Sequence, residues 1–292
     1  MRILAVDIGG SAVKYGICDE TGRLTQTGSF PLPASMAEFL GHLQMLPALK
    51  EADGIAISAP GAVDCRTGIV GGVSAVPWIH GPSVTAVLRE TFSLPVQIEN
   101  DASCAALAEL WLGAARDLED CCFVIFGTGI GGAVFKDRKI HRGASERAGE
   151  FGLILADCDI DTDVFHVWSH YSTNHTVRNA ARECGLDEAQ LDGITVFEQA
   201  AENPIFAKHV DRFYNAAANG LLNLQQMYDP QAILLGGGIS ARSDLLTEIE
   251  ARIAQRIQGY EQVFIRPQLR LCHFRNQANL IGAVRHFLTA KL

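Results

Sequence analysis

The sequence has no long apolar run and no run of basic residues. No uninterrupted apolar segment approaches the roughly 20 residues that a membrane-spanning helix needs, and the first apolar stretch, in MRILAVDIGG, ends at Asp7, too early for a signal-peptide core. The formal net charge of −9, with no Lys/Arg cluster to offset it, would repel polyphosphate backbones. We therefore expect a cytoplasmic protein that binds neither membranes nor nucleic acid.

The cysteines lack the paired spacing of a disulfide framework. Eight are present, scattered from Cys18 to Cys272, and several lie in apolar patterns. We expect reduced thiols that serve as small core residues. A hydrophobic content of 48% with 20% charged residues is typical of a folded soluble protein. A length of 292 residues suits two lobes better than one core.

Apolar runs and turns predict an α/β chain in which one strand–turn–strand unit occurs twice. Ile3–Asp7 and Val13–Cys18 flank a first glycine turn, and Phe123–Phe126 and Ala133–Lys136 flank a second. The repetition, about one domain length apart, predicts two related lobes that face each other across a cleft. We expect domains at 1–113 and 114–277, with a final helix at about 278–292 that packs back on the first.

Other segments predict four helices and one loop. Helical spacing is present over 36–49, 210–227, 244–257 and 278–288, and Asp229-Pro230 should end the second of these helices. The 71–82 segment, GGVSAVPWIHGP, is rich in Gly and Pro and is predicted to be a loop. Trp78 within it either lines a ligand site or simply packs.

Glycine-rich turns follow the first strand of each repeat. Gly127, Gly129 and Gly132 match G-x-G-x-x-G, but the dinucleotide fingerprint requires a helix directly after the loop, and AVFKDRKI has the pattern of strand and turn. The Walker pattern is absent as well. What remains is a hairpin whose glycines let backbone N–H groups approach phosphate closely.

The first turn, in DIGGS, has the same character and follows a carboxylate. Asp7 could hold Mg²⁺ through water, and Lys14 could reach phosphate from the next strand, although an exposed strand lysine is the commoner case. A third glycine turn, 236–238, precedes a helix. Each turn alone is more often only a tight turn. Together they predict a nucleotide site, with two hairpins for the phosphates and a glycine platform for the base and ribose.

The stretch VQIENDASCAALAEL joins a buried strand to an alanine-rich helix at Asn100 and Asp101. Such residues cap helices, because their side chains accept hydrogen bonds from the first free N–H groups. The helix dipole also favours the anionic form of Asp101, which could then accept the proton of an attacking hydroxyl in phosphoryl transfer. Asn100 is suited to fixing a neighbouring hydroxyl. Capping and catalysis are not exclusive here.

A second acidic candidate, Glu150, lies in the glycine-bounded RAGEFG segment. A carboxylate can bind two sugar hydroxyls at once, whereas the structural alternative is a solvated loop glutamate. The residue type alone leaves both interpretations open.

Six segments occur in an order that resembles the ROK family of bacterial sugar kinases: DIGGSAVKYG, ISAPG, ENDA, FGTGIGGA, RAGEFG and DPQAILLGGG. Each motif alone is weak, but the ordered set is specific and spans nearly the whole chain. The resemblance implies an actin-like ATPase (ribonuclease H-like) α/β fold with two lobes and an interdomain cleft. It also implies ATP with Mg²⁺, a small-molecule sugar substrate and a homodimer.

The resemblance further implies roles for individual residues. Asp101 is the expected catalytic base, and Asp7 is the carboxylate near Mg²⁺. The expected sugar-binding candidates are Asn100, Glu150, Gly61 of ISAPG, Asn174 and His175. The residues expected near the nucleotide are Asp7, Gly9, Gly10, Ser11, Lys14, Gly127, Thr128, Gly129 and Gly237.

One departure from the family pattern concerns zinc. Members typically continue from A-G-E-x-G into a histidine and a C-x-C-G-x-x-G-C zinc motif that ends in a sugar-binding glutamate. Here Leu153 replaces the histidine. The only cysteines of the 153–185 segment are Cys158 and Cys184, and its histidines are not spaced as zinc ligands. We therefore expect no zinc site.

This zinc-free pattern is similar to bacterial β-glucoside kinases, which phosphorylate the 6-hydroxyl of the non-reducing glucose in disaccharides such as cellobiose. The YSTNHTVRN segment stands where the zinc loop would be, and could supply Asn174 or His175 to the sugar. We therefore predict an ATP-dependent β-glucoside kinase. Glucokinase and N-acetylmannosamine kinase remain open, as does a non-catalytic sugar sensor. A sugar-responsive repressor is not expected, because the first strand starts at Ile3 and leaves no room for a DNA-binding domain.

Overall fold

A computed structural model describes residues 1–159 and 164–290. The chain forms two compact units. The first comprises Met1–Asp117, Gly143–Arg147 and His273–Leu292, and the second comprises Leu118–Arg142 and Ala148–Cys272. The last two positions of the predicted C-terminal helix, 291 and 292, lie outside the described residues.

The described residues form fourteen strands and eight α-helices. The strands are β1 (Arg2–Ile8), β2 (Ala12–Asp19), β3 (Leu24–Pro31), β4 (Gly54–Ala59), β5 (Ala62–Asp64), β6 (Ile69–Gly71), β7 (Val96–Asn100), β8 (Cys121–Phe126), β9 (Ile130–Lys136), β10 (Lys139–Ile140), β11 (Leu155–Asp159), β12 (Val164–Val167), β13 (Ala232–Gly236) and β14 (Leu269–Leu271). The α-helices are α1 (Met36–Gln44), α2 (Val84–Phe92), α3 (Asp101–Leu112), α4 (Thr173–Glu183), α5 (Gly193–Glu198), α6 (Pro204–Tyr228), α7 (Leu245–Ile257) and α8 (Ala278–Thr289).

The main sheet of the first unit has the order β3-β2-β1-β4-β7. Strands β1 to β3 form antiparallel pairs, whereas β1, β4 and β7 are parallel. Side chains alternate between the two faces of a strand, so Ile3 and Ala5 of β1 pack with α3 and α8, while Leu4 and Val6 pack with α1 and α2. Helices therefore cover both faces, and α8 belongs to the core of this unit.

The main sheet of the second unit repeats this arrangement. Its order is β10-β9-β8-β13-β14, with antiparallel pairing from β8 to β10 and parallel pairing of β8, β13 and β14. Alternate residues of β8, Cys122, Val124 and Phe126, belong to a core cluster that also includes residues of α6 and α7. The predicted repetition of one unit is confirmed.

Helix ends follow local chemistry, and one prediction there is wrong. Helix α1 ends at Gln44 rather than Leu49, because Pro47 begins a separate 3₁₀ turn and proline cannot continue the α-helical hydrogen-bonding pattern. Helix α6 ends as predicted, with Asp229 in the left-handed region at φ 44° before Pro230. In the part of the chain that the structure describes, no helix combines the length and apolar character needed to cross a membrane.

Trp78 takes the packing role rather than a position at a described cavity. Its indole Nε1 donates a hydrogen bond of 2.7 Å to the carbonyl oxygen of Pro33. Its ring lies against Phe39 of α1, with 5.3 Å between ring centroids. The 71–82 segment is largely loop, as expected, with a short 3₁₀ turn at Pro77–Ile79.

Candidate active site

The start of α3 combines capping with an arrangement of polar side chains. Asn100 is the N-cap residue, and its Oδ1 accepts a hydrogen bond of 3.1 Å from the Ser103 N–H. Its amide Nδ2 donates to the Gly61 carbonyl oxygen and to Asp101 Oδ1, each at 3.1 Å. The capping interpretation is thus confirmed for Asn100, and the same side chain connects Gly61 with Asp101.

Asp101 is half-buried in the first turn of α3. Its Oδ1 also accepts the Ala102 N–H at 2.8 Å. These two donors fix the orientation of the carboxylate, and the adjacent N-terminus of the helix favours its negative charge.

Asp7 lies near the carboxyl end of β1 and is 6% exposed. Its Oδ1 accepts hydrogen bonds from Ser58 Oγ at 2.8 Å and from Asn279 Nδ2 at 2.9 Å. Its Oδ2 accepts none from the described residues. A carboxylate held in this way offers a hard oxygen ligand, which suits Mg²⁺ bound directly or through water.

The β1–β2 turn follows directly. The Gly9 N–H donates to the Ala12 carbonyl oxygen at 3.0 Å, so Gly9, Gly10 and Ser11 form the tight turn that the sequence predicts. Lys14 is exposed and lies opposite Asp7 in the antiparallel register. Directly opposed residues share a face of the sheet, so the register is compatible with a phosphate contact for Lys14.

In the second unit, the ends of β8 and β13 bring two glycine turns together. Gly237 follows β13 with φ +91°, and a Cβ at this position would clash with the carbonyl oxygen of Phe126, the last residue of β8. A side chain is therefore excluded here on both backbone and packing grounds. The close approach places the 236–238 turn beside the loop that begins at Gly127.

A cavity of about 780 Å³ opens at these turns. Among its lining residues are Gly127, Thr128 and Asn174, and the Asn174 N–H donates to the Gly127 carbonyl oxygen at 3.2 Å. Gly129 closes the same loop by accepting the Gly127 N–H at 2.9 Å. The volume and the exposed backbone of this loop fit the base and ribose of a nucleotide.

Sequence reasoning missed most of the other lining residues of this cavity. They include Ile194 and Glu198 from α5 and Arg242 and Asp244 before α7. Arg242 and Asp244 form a two-point ion pair with N–O distances of 2.9 and 2.5 Å. No spacing motif marks these residues, because they come from elements distant in sequence. Ser58 and Asn279 beside Asp7 were missed for the same reason.

Glu150 is exposed at the start of a 3₁₀ turn, Phe151–Leu153. The preceding Gly149 has φ +101°, and a Cβ there would lie 2.7 Å from the carbonyl oxygen of Gly132. Glycine at this position therefore lets the RAGEFG segment pack directly on β9. Glu150 remains available to a ligand, because the described residues donate no hydrogen bond to its carboxylate.

His175 lines a different cavity from Asn174. This cavity, of about 600 Å³, is also lined by His166, His170 and Tyr171. Burial, followed by the charge of Arg178, lowers the pKa of His175 below its ordinary value, which keeps the ring neutral near pH 7. The structure thus separates the two residues that the sequence offers as alternatives in the YSTNHTVRN segment.

The 153–185 segment contains His166 and His170 at a distance of 3.4 Å between their Nδ1 atoms. Leu153, in place of the family's histidine, is 62% exposed. The side chain of Cys158 and residues 160–163 lie outside what the structure describes. The absence of zinc from this segment therefore stays a prediction.

The profile of the ROK family matches residues 3–290. The chain belongs to the ROK family. ROK proteins of known structure have the actin-like ATPase fold, and the repeated sheets described above agree with it. The predicted α/β fold class with two lobes is confirmed.

Several relatives resemble the chain over nearly its full length. A protein named beta-glucoside kinase from Listeria innocua is 35% identical, covering 99% of this chain and 98% of the relative. A ROK family protein from Streptococcus pneumoniae, solved in complex with sucrose, is 34% identical with a TM-score of 0.90, covering 99% and 98% of the two chains. A ROK glucokinase from Streptomyces griseus, solved with glucose and AMPPNP, is 25% identical with a TM-score of 0.80, covering 97% and 98%.

Proposed function

We propose that this ROK protein is an ATP-dependent kinase that phosphorylates the 6-hydroxyl of β-glucosides such as cellobiose. The observation that carries the proposal is the 35% identity to a beta-glucoside kinase over 99% of the chain. The sucrose in the S. pneumoniae structure supports a disaccharide-sized substrate. Glucokinase remains the second candidate, because a glucokinase also matches the chain along 97% of its length.

Within this proposal Asp101 is the general base. Two hydrogen bonds orient its carboxylate at the start of α3. The substrate 6-hydroxyl gives its proton to Asp101 while its oxygen bonds to the γ-phosphorus, and ADP leaves with the electrons of the broken P–O bond. Asn100, with its amide fixed by Gly61, is positioned to bind a neighbouring sugar hydroxyl.

The remaining sugar contacts are assigned to Glu150, Gly61 and His175. The exposed carboxylate of Glu150 can accept hydrogen bonds from two sugar hydroxyls. Neutral His175 has one ring nitrogen that donates and one that accepts. Asn174 was predicted as a sugar ligand, but its place in the cavity of Gly127 and Thr128 favours a contact to the nucleotide.

ATP and Mg²⁺ are the cofactors of the proposal, and ATP supplies the phosphoryl group. The chain offers a fitting set of residues for them. Asp7 would hold Mg²⁺ through water, the β1–β2 turn and Lys14 would contact phosphates, and the loop from Gly127 to Gly129 with Gly237 would hold the nucleotide. A cytoplasmic homodimer completes the proposal, as the family resemblance implies.

A coupled assay of ADP formation on cellobiose, gentiobiose, glucose and N-acetylmannosamine tests the substrate. We expect the highest kcat/KM on the two disaccharides. A preference for glucose or N-acetylmannosamine would retain the kinase chemistry and refute β-glucoside specificity. No turnover on any of the four, with Mg²⁺ present, would contradict the proposal and favour a non-catalytic sugar sensor.

A further inference from the structure

Three side chains of metal-binding types meet in the first unit. They are Cys65 from the turn between β5 and β6, Glu99 from β7, and His286 from α8. One ligand atom from each, a sulfur, a carboxylate oxygen and an imidazole nitrogen, lies within 4.8 Å of the other two. We propose that these residues form a site for one divalent ion of the zinc type, separate from the Mg²⁺ of the phosphoryl transfer.

The spacing supports this assignment. His286 Nδ1 lies 3.5 Å from Glu99 Oε2. Nitrogen and oxygen ligands at about 2.0–2.1 Å from a tetrahedral zinc ion are about 3.3 Å apart. The pair is therefore already close to the separation of two ligands that share an ion, and the Cys65 sulfur lies within 4.8 Å of a ligand atom of each.

The donor set selects the kind of cation. A thiolate, an imidazole and a carboxylate together suit zinc and similar transition metals, whereas Mg²⁺ and Ca²⁺ prefer oxygen ligands alone. Glu99 is completely buried, and its Oε1 accepts the Asn100 N–H at 2.8 Å.

An access path is present. Cys65 and His286 line a cavity of about 620 Å³, and Arg89 and Gln97 contribute to its wall. Arg89 Nη2 donates a hydrogen bond of 2.6 Å to the Val96 carbonyl oxygen. The cavity leaves room for a water molecule as the fourth ligand.

Binding would connect three separate elements. A bound ion would hold α8 and the β5–β6 turn to β7, the strand that ends at the Asn100 cap. The expected consequence is greater stability of the first unit when the ion is present. The proposal departs from the expectation of a protein without zinc, which rested on the 153–185 segment; that segment plays no part in this site.

Co²⁺ titration of the metal-free, full-length protein tests the site, because a cobalt–thiolate bond gives a charge-transfer band in the near ultraviolet. We expect the band to saturate at one equivalent and to be abolished in Cys65→Ala. His286→Gln should weaken binding at least tenfold. The matched control is Cys158→Ala, which removes a cysteine close in sequence to the histidines of the second unit and should retain the band. Absence of the band, or its persistence in Cys65→Ala, would overturn the proposal.

A measurement on the wild-type protein is also needed, because a variant that fails to fold would lose the band for another reason. Saturating Zn²⁺ should slow the alkylation of Cys65, followed by peptide mass spectrometry, at least tenfold, while Cys184 in the second unit is unaffected. Equal alkylation of Cys65 with and without Zn²⁺ would also overturn the site. Neither measurement depends on kinase activity, so failure here is distinguishable from failure of the proposed function.

Discussion

At the start of α3, the side chain of Asn100 both caps the helix and contacts the proposed base, Asp101. The Asn100 side chain accepts from Ser103 as a cap and donates to Gly61 and Asp101. Because an asparagine has both donor and acceptor groups, one residue can end the strand, begin the helix and position the proposed base. A cap is therefore no argument against a catalytic role.

Replacement of Asp101 by asparagine removes the proposed proton acceptor but keeps a hydrogen-bond acceptor at the start of α3. The amide still has an oxygen to accept the Ala102 N–H, but it cannot accept a proton from the substrate. We expect kcat to fall by about 10²–10⁴-fold, the usual contribution of a general base, while sugar binding measured by calorimetry is retained. Asp19→Asn is the matched control, since the Asp19 carboxylate also accepts backbone N–H groups, in the turn between β2 and β3. A near-normal kcat in Asp101→Asn would remove Asp101 from the base role.

The buried thiols predict a dependence of stability on pH. Burial raises the pKa of Cys18 and of Cys122 from 9.0 to about 12. In the unfolded chain these thiols ionise near pH 9, whereas in the folded chain they remain protonated. Their contribution to the free energy of unfolding is therefore complete below pH 9 and declines as the pH rises toward 12.

Denaturant unfolding at a series of pH values measures this effect. The free energy of unfolding should fall above pH 9, and Cys122→Ala should reduce the slope. In native protein, iodoacetamide should label the half-buried Cys184 well before Cys18 and Cys122. Rapid labelling of Cys18 and Cys122 in the folded state would contradict their assignment to the core.

Among the connecting elements, the turn after β13 has the most restrictive geometry. Gly237→Ala would place a Cβ against the Phe126 carbonyl oxygen at φ +91°. The backbone conformation alone should lower the free energy of unfolding by about 1–3 kcal/mol, and displacement of β8 from β13 should add to this. The neighbouring Gly238→Ala is the control, because its Cβ would meet no atom within 4 Å. Equal stability of the two variants in urea unfolding would contradict this account of the turn.

Elements with a strong local signal were predictable, and those set by distant contacts were not. The two glycine hairpins and the end of α6 follow from residues adjacent in sequence. The cavity at Gly127 is different, because α5 and the segment before α7 complete it from far along the chain. The Asp7 environment likewise depends on Ser58 and Asn279, which only the parallel sheet and α8 bring near.

At the scale of the whole molecule, the two units have sheets of the same topology but supply different parts of the proposed machinery. The first unit provides Asp7, Asn100 and Asp101, and the second provides the glycine turns and Glu150. The expected domains at 1–113 and 114–277 assign these residues to the same two groups. The sequence could not identify the sugar, because the shape of a substrate site depends on the distant contacts that local patterns do not encode.

The central claim is ATP-dependent phosphorylation of a β-glucoside at its 6-hydroxyl. Correlated ³¹P–¹H NMR of the product formed from cellobiose, ATP and Mg²⁺ tests it most directly. The account predicts one equivalent of ADP and a phosphorus signal coupled to the two C6 protons of the non-reducing glucose. A phosphate on any other carbon, or ADP formed without a sugar phosphate, would contradict it.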